Sequence, residues 1–476
     1  MDQRVTRPIG DLAGADAARS AGALWASELR GTAQLSAPLI VTSVAQMAIN
    51  AVTTVMVGRL GPGELAAAGL ANSIYSCLMV FSVGLVSAVA PMLANERGRH
   101  RHAVRELRRT VRQGFWACLA IALPAWLILW NVEALLDLLG EDPDSARRAA
   151  RLMHCLQWGL LPQLLYMVLR SFLAALERPL WTLLAAFAAI LVNLGLGTSL
   201  IFGHLGVPAL GLIGAGISNA CASTTLFVSL ALVVTRGRRF RRYRLFGRFW
   251  RADWLRFREL MRLGLPIAVT IAFEATIFTA AMLMMGWISS TAVAAHAIAL
   301  QVGSLAYMVP TGIAQATTVR VGLARGARDA ARVRRAGWSG YGLALCASSL
   351  IALFVALNPR FFAAIFIDVD APQNAAAVAL AMTFLALAAL FLITDCLQVI
   401  AAAMLRGLYD ARVPMLIAGI GYWLVGLPLG ALLAFHFGIG GVGIWLGLSA
   451  GLGATGIIMT TRWVMRERLG LLRGMR

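Results

Sequence analysis

Long apolar stretches recur along almost the whole chain, and they constrain its fold more than any other feature. The hydrocarbon core of a bilayer is about 30 Å thick, so a helix needs about 20 mostly apolar residues to cross it. Segments of this length predict twelve helices, at residues 33–57, 64–93, 112–131, 152–175, 180–202, 206–235, 263–288, 293–322, 336–357, 373–403, 412–435 and 438–464. The shorter alternating pattern of a membrane β-barrel is absent. The sequence therefore predicts an all-α membrane protein with twelve transmembrane helices.

The charged residues agree with a membrane-embedded chain. Hydrophobic residues make up 59% of the 476 residues, yet the formal net charge is +20, and the sequence contains arginine but no lysine. In a soluble protein this charge would favour nucleic-acid binding. Here the arginines lie between the predicted helices, where such residues set topology and contact lipid phosphates. We therefore expect the lipid bilayer, and no nucleic acid, as a partner.

The loops between the predicted helices fall into two kinds. Arginines are concentrated after the second, sixth and eighth helices, at Arg97, Arg99, Arg101, Arg105, Arg108, Arg109 and Arg112, at Arg236, Arg238, Arg239, Arg241, Arg242, Arg244, Arg248, Arg251, Arg256, Arg258 and Arg262, and at Arg325, Arg328, Arg332, Arg334 and Arg335. Acidic residues dominate two loops of the other kind, at Glu133, Asp137, Glu141, Asp142 and Asp144, and at Asp368 and Asp370. Because basic loops remain in the cytoplasm, both termini are predicted to be cytoplasmic.

The two halves of the chain are copies of each other. Early in the copies the matched residues lie 228 positions apart, and they are Pro38 with Pro266, Met56 with Met284, Gly58 with Gly286 and Gly84 with Gly312. After a small gap the matches become Pro179 with Pro414, Phe202-Gly203 with Phe437-Gly438, and Gly206-Val207 with Gly441-Val442. Because six is an even number, both copies insert in the same orientation, related by an axis along the membrane normal. This predicts two six-helix lobes with pseudo-two-fold symmetry around a central cleft.

The repeat and the basic loops together predict the organisation of the chain. We expect a cytoplasmic N-terminal segment at 1–32, an N-lobe at 33–235, a basic cytoplasmic linker at 236–262, a C-lobe at 263–465 and a cytoplasmic C-terminal tail at 466–476. Two lobes around a cleft can rock to open a central cavity first to one side of the membrane and then to the other, which is alternating access.

Two acidic residues lie inside predicted helices. Glu274 stands in GLPIAVTIAFEATIFTA and Asp395 in LAALFLITDCLQVIAAAMLRG. A charge at the bilayer centre costs about 2.5–3.5 kcal/mol, so it persists mainly where it faces a cavity or a partner. At about 1.5 Å per residue, counted from Arg262 and Arg406, both acids lie about 17 Å from the basic ends of their helices. No arginine close to them in either helix offers a simple ion pair, which favours one shared site in the second half.

Two carboxylates in a low-dielectric cavity can hold a proton or exchange it for a sodium ion. The structural alternative is a carboxylate satisfied by neighbouring hydroxyls or by the backbone. The first-half match of Glu274 is Gln46, and no acid occupies the middle of a first-half helix. The predicted cation site is therefore confined to the second half.

Other polar residues within the predicted helices have two possible roles, lining a substrate cavity or joining helices by hydrogen bonds. The candidates for the substrate cavity are Gln46, Asn50, Thr53, Asn193, His296 and Gln301. A lone intramembrane histidine is more often packed or hydrogen-bonded than a ligand. Tyr307 is the stronger candidate for the cation site, because its ring can approach a cation.

Several motifs carry a family resemblance. They are an FE dipeptide in the seventh helix, AAHAIALQ and MVPTGIAQATTVRVG in the eighth, and LRGLYDARVP after the tenth, within a repeat that spans about residues 30–465. The chain resembles the multidrug and toxic compound extrusion (MATE) transporters, in the branch typified by bacterial NorM. The resemblance implies export of organic, often cationic compounds from the cytoplasm by antiport against sodium ions or protons. It also places Glu274 and Asp395 at the family's cation-binding positions, with Tyr307 beside them.

The same resemblance implies the remaining properties. They are small-molecule substrates, a monomer, a multi-pass location in the bacterial inner membrane, and no resident cofactor beyond a transported sodium ion or proton. Any sodium ion would bind at Glu274 and Asp395. Two positions depart from the family pattern, because Thr53 in VTTVM replaces an acid and Gly197 replaces an asparagine expected after Asn193. These departures favour coupling in the second lobe.

Two other functions compete with drug export. A flippase for lipid-linked saccharides of the same superfamily would be expected to have a basic cavity, but arginines within helices occur only near their ends, as at Arg170 and Arg320. An intramembrane enzyme would need a catalytic set, for which only the Glu274 and Asp395 pair qualifies, and duplication gives an enzyme no obvious benefit. We therefore expect a transporter and not an enzyme.

Overall fold

The computed structural model describes residues 21–99, 103–203, 206, 208–247 and 253–473. Twelve helices in this part of the chain are long and apolar enough to cross a membrane, namely α1 Gly22–Gly58, α2 Pro62–Arg99, α3 Val104–Trp130, α4 Pro143–Ala175, α5 Leu180–Phe202, α6 Leu212–Arg236, α7 Trp254–Ile288, α8 Ser290–Gly326, α9 Ala330–Leu357, α10 Pro372–Gly407, α11 Arg412–His436 and α12 Gly441–Val464. No strand occurs among the described residues. The predicted all-α membrane fold is confirmed.

Parts of three predicted segments lie outside the described residues. They are 1–20 of the N-terminal segment, 248–252 of the linker and 474–476 of the tail, and Arg101 and Val207 lie outside as well. The predicted segment boundaries therefore stay predictions.

Several helices begin earlier than the apolar pattern predicted. Helix α7 begins at Trp254 instead of 263, and α9 begins at Ala330 instead of 336. In both, an aspartate caps the first turn, because the side chain of Asp253 accepts from the Arg256 N–H and that of Asp329 from the Arg332 N–H. Apolarity marks only the part of a helix that lies in lipid, whereas these arginine-rich turns continue the helix beyond it.

Two large apolar cores contain most of the buried apolar residues of the described helices. One contains buried residues of α1 to α6, and the other contains buried residues from Ile277 to Leu472. The first core also includes Leu260, Leu263, Ile267 and Ala268, at the start of α7. The two-lobe architecture is therefore present, and the first half of α7 packs against the N-lobe.

Close contacts between the lobes follow the symmetry of the repeat. A Cβ built on Gly98 of α2 would lie 2.9 Å from the carbonyl carbon of Leu323, and one built on Gly326 of α8 would lie 2.9 Å from the carbonyl carbon of Asn95. Gly326 and Leu323 lie 228 positions after Gly98 and Asn95, so the two contacts are equivalent. Gly84 against Ala268 and Gly312 against Ile40 form a second equivalent pair. Small residues let the α2 and α8 backbones approach closely around the pseudo-two-fold axis.

The lobes are closed on one face, which we call the basic face because it carries the α2–α3, α6–α7 and α8–α9 loops. Arg320 of α8 pairs with Glu28 of α1 and, at 3.1 Å, with Glu177, while Arg332 of α9 pairs with Glu28 at 3.0 Å. These ion pairs join the two lobes. Nearer the opposite face, Cβ atoms built on Gly69 of α2 and Gly303 of α8 would meet open space. Tight packing between α2 and α8 is therefore concentrated at the basic face.

Candidate functional site

Three residues predicted for the cation site come together in the C-lobe. Glu274 lies on α7, Tyr307 on α8 and Asp395 on α10, and the Tyr307 hydroxyl donates a hydrogen bond to Glu274 Oε1 at 3.0 Å. Glu274 and Asp395 interact electrostatically across the gap between their helices. Asp395 is 3% exposed, and its Oδ1 has no hydrogen-bond partner among the described residues. An acceptor buried without a donor costs free energy, so Asp395 Oδ1 is suited to a proton or a cation.

Glu274 and Tyr307 face a cavity of about 230 Å³ between the lobes. Helices α1, α2 and α4 of the N-lobe supply Leu39, Ser87 and Met167 to its lining, and α10 of the C-lobe supplies Gln398 and Val399. Asp395 does not line the cavity itself, but it lies on the same helix, one turn before Gln398 and Val399. The two acids thus lie at the boundary between a central cavity and the packed interior of the C-lobe.

Arg406 is a member of this site that the sequence analysis missed. It lines the same cavity and interacts electrostatically with Glu274, although among the described residues it forms no salt bridge with either acid. Helical side chains lean toward the N-terminus of their helix. Arg406, at the C-terminal end of α10, therefore leans from the basic face toward the membrane interior. In the sequence, the only indication that Arg406 belongs to the site is its position within the LRGLYDARVP motif.

Arg170 of α4 lines the cavity from the N-lobe. Its guanidinium donates to Gln46 Oε1 at 3.4 Å and to Ser43 Oγ at 3.2 Å. The position of Arg170 near the end of its predicted helix counts against a basic cavity. In the structure Arg170 and Arg406 approach the central cavity from opposite lobes, so the cavity contains both acidic and basic groups.

The first-half polar candidates separate into two pairs. Gln46 and Asn50 line a second cavity of about 150 Å³ within the N-lobe. Thr53 instead lies within hydrogen-bonding distance of Asn193 Oδ1, at 3.3 Å, and Asn193 is 1% exposed. Thr53 and Asn193 therefore fit the helix-joining role, while Gln46 and Asn50 are placed to meet a ligand. Three further polar residues line the N-lobe cavity, namely Asn72, Gln163 and Asn219.

The two remaining candidates lie outside these cavities. His296 is fully buried with its ring centroid 5.3 Å from that of Trp445, in an edge-to-face arrangement. Neither ring nitrogen has a hydrogen-bond partner among the described residues. Gln301 is exposed and lines neither cavity. His296 therefore fits the packed role that is commoner for a lone intramembrane histidine.

Replacing Tyr307 by phenylalanine is expected to weaken cation binding at Glu274 without abolishing it. The ring keeps its packing, but Glu274 loses the donor that holds one of its oxygens. A hydrogen bond to a charged group contributes about 1.5–3 kcal/mol, so we expect the affinity of the site for a cation to fall about tenfold or more. The measurement is a titration of the purified protein with sodium ions and with protons. Tyr341→Phe, which removes a hydroxyl bonded to Thr460, is the control and should behave as wild type; equal affinities in both variants would contradict the role of Tyr307.

Comparison with known proteins identifies close relatives. The family model described as MatE matches residues 38–199 and 266–432, segments that begin at the first matched pair of the internal repeat. The "Probable multidrug resistance protein NorM" of Brucella suis is 54% identical over 439 residues, covering 92% of this chain and 93% of that protein. The protein of the same name in Mesorhizobium japonicum is 49% identical over 452 residues, covering 95% and 97%. The crystal structure of the eukaryotic MATE transporter AtDTX14 superimposes with a TM-score of 0.84 at 21% identity, covering 95% of this chain and 99% of that one.

Proposed function

This chain belongs to the MatE family of membrane transporters, and from that membership we propose that it exports organic, often cationic, compounds from the cytoplasm in exchange for inward protons or sodium ions. Multidrug resistance relatives at up to 54% identity support drug efflux as its general role. The observation that carries the proposed coupling is the pair of acids beside the central cavity, with Glu274 held by the hydroxyl of Tyr307 at 3.0 Å.

The pairing of two acids supports uptake of a cation at this site. Glu274 and Asp395 interact electrostatically with each other, and Glu274 also interacts with Arg406. A second negative charge is costly in a low-dielectric interior. A bound proton or sodium ion lowers that cost. No resident cofactor enters this cycle, because the coupling ion is itself transported.

Alternating access connects the site to transport. We propose that the basic face is cytoplasmic, with both termini on that side of the bacterial inner membrane, in accord with the positive-inside rule. The closed basic face then corresponds to a state from which substrate leaves outward. Uptake of the cation at Glu274 and Asp395 favours the return to a state open to the cytoplasm. Each lobe is supplied by the same chain, so a monomer suffices for the cycle.

A flippase for lipid-linked saccharides is the second candidate function. Arg170 and Arg406 line the central cavity, and guanidinium groups are suited to phosphate. The named relatives favour drug export instead. The two functions differ in their substrates, because a drug exporter transports a small aromatic dye across the membrane and a lipid flippase does not.

Collapse of one ion gradient is expected to stop transport. Ethidium is added outside inverted membrane vesicles that contain the protein, and the proton and sodium gradients are dissipated separately. We expect dye accumulation to cease when the coupling gradient is removed and to persist when the other is removed, because only the coupling ion is exchanged for the dye. Vesicles without the protein are the control. Accumulation that survives loss of both gradients would contradict ion coupling, and absence of any accumulation would favour the flippase.

A further inference from the structure

A cavity of about 450 Å³ lies on the basic face, away from the transport site. It is formed by the turn between α4 and α5, the end of α2 and the segment that follows α6. Its lining includes five arginines, Arg97, Arg178, Arg238, Arg239 and Arg242, and three aromatic residues, Trp181, Phe240 and Tyr243. We propose that this cavity, named here the arginine pocket, binds the headgroup phosphate of an anionic phospholipid in the cytoplasmic leaflet.

Four of the five arginines of the arginine pocket have no acidic partner in the part of the chain that the structure describes. No acidic residue is among the residues that line it. Within the described part of the chain, Arg178, Arg238, Arg239 and Arg242 have no salt-bridge partner, and Glu177, next to Arg178, pairs with Arg320 instead. Other arginines of the basic face do have acidic partners, such as Arg256 with Glu96 at 2.9 Å. Several cations that converge on one cavity without a carboxylate favour an external anion, and guanidinium groups match phosphate geometry.

The segment after α6 is anchored, so the arginines are held in place. Helix α6 ends at Arg236, and a Cβ built on the following residue, Gly237, would lie 2.5 Å from the Val233 carbonyl oxygen. Phe240 and Tyr243 are 6% and 2% exposed, and the Tyr243 ring packs edge-on against Phe172 of α4 at 5.2 Å. These two aromatic anchors fix the short turn from which Arg238, Arg239 and Arg242 project.

An apolar stripe leads from the arginine pocket along the membrane surface of α5. Trp181 lines the pocket and is 41% exposed, and tryptophan is enriched at the membrane interface. Leu180, Leu184, Phe187 and Leu191 are 63%, 58%, 50% and 69% exposed, and their spacing puts them on one side of α5. Phosphate at one end and exposed apolar side chains below it match a phospholipid with its acyl chains. A free phosphate ion would make no use of the stripe.

Part of the arginine pocket occurs in one lobe only. Arg97 and Arg238 have matching arginines in the second copy, at Arg325 and Arg473, but the positions that match Arg178 and Trp181, aligned as Pro179 is with Pro414, are Val413 and Leu416. Topology alone requires basic loops in both halves, but it does not require this particular cluster. The departure from the repeat is thus an independent indication of a local ligand.

Native mass spectrometry of the full chain tests the proposal. The protein is released from mixed micelles that contain equal amounts of dioleoyl phosphatidylglycerol and dioleoyl phosphatidylcholine. We expect wild type to retain the anionic lipid preferentially, and R238Q/R239Q/R242Q to lose that preference by about tenfold or more, because each arginine near an anionic headgroup contributes about fivefold. The matched control R236Q/R241Q/R244Q removes three charges from the same segment but not from the pocket, and it should retain the lipid.

Three outcomes would overturn the proposal. Equal loss in the two triple variants would mean that attraction is spread over the whole basic face. Thermal stabilisation of wild type by inorganic phosphate in phosphatidylcholine micelles, equal to that given by phosphatidylglycerol, would identify a free anion as the ligand. If the pocket triple variant fails to fold, Arg178→Gln in the α4–α5 turn takes its place, and unchanged lipid preference in that variant would exclude the pocket.

Discussion

Glu274→Gln and Asp395→Asn are each expected to reduce dye efflux to the background of membranes without the protein, while the protein stays inserted and folded. Both substitutions keep the shape of the side chain and remove its ability to carry the charge that binds a cation. Each variant removes one carboxylate partner of the proposed bound cation. Removing one partner of a buried pair of opposite charges costs about 2–5 kcal/mol, which corresponds to a loss of about thirtyfold or more. The measurement is ethidium efflux at matched protein levels, with membrane insertion checked separately.

Acids on the opposite face provide the matched control. Glu133 and Asp137 are exposed in the connection between α3 and α4, and Glu133→Gln and Asp137→Asn make the same chemical changes outside the membrane. They should leave efflux unchanged. Wild-type efflux by both Glu274→Gln and Asp395→Asn would rule out the proposed cation site. A variant that still binds substrate but no longer responds to the ion gradient would support a coupling role over a structural one.

The number of helices and the buried acids could be predicted because both depend on properties of a single segment. A stretch of about 20 apolar residues identifies a span wherever it packs, and an acid in such a stretch needs a cavity or a partner in any fold. Helix ends were less predictable, as the start of α7 at Trp254 shows. There the helix begins before the chain enters the lipid, so the apolar pattern does not show where the helix starts.

Contacts between helices could not be predicted, because they depend on how two distant segments pack against each other. Gln46 and Thr53 are both polar residues of α1, yet one lines a cavity and the other lies within hydrogen-bonding distance of Asn193 at 3.3 Å. The rotation of α1 against α5 decides between the two roles, and it is set by packing across the whole lobe. Arg406 is a similar case, because its approach to Glu274 depends on how α10 crosses α7. The sequence thus identified the residue types of the site but not their arrangement.

Replacing Gly326 by alanine is expected to prevent normal closure of the basic face and to reduce efflux about tenfold. A Cβ at this position would lie 2.9 Å from the Arg99 amide nitrogen and from the Asn95 carbonyl carbon, which are backbone atoms of α2. Backbone cannot move aside as a flexible side chain can, and overpacking of this kind costs about 1–3 kcal/mol. Because the contact joins two lobes, that cost falls on the state closed at the basic face, and each lobe keeps its own fold.

The internal repeat allows a second test of the prediction for Gly326. Gly98 makes the equivalent contact from the other lobe, with its Cβ position 2.9 Å from the Leu323 carbonyl carbon. Gly98→Ala should therefore cause a defect of the same size as Gly326→Ala, although the two residues lie in different copies. Gly303→Ala, on α8 where a Cβ meets open space, should leave efflux unchanged. A defect in only one of the two glycine variants would mean that α2 and α8 do not act as a symmetric pair, and closure of the basic face would then depend on the Glu28 ion pairs instead.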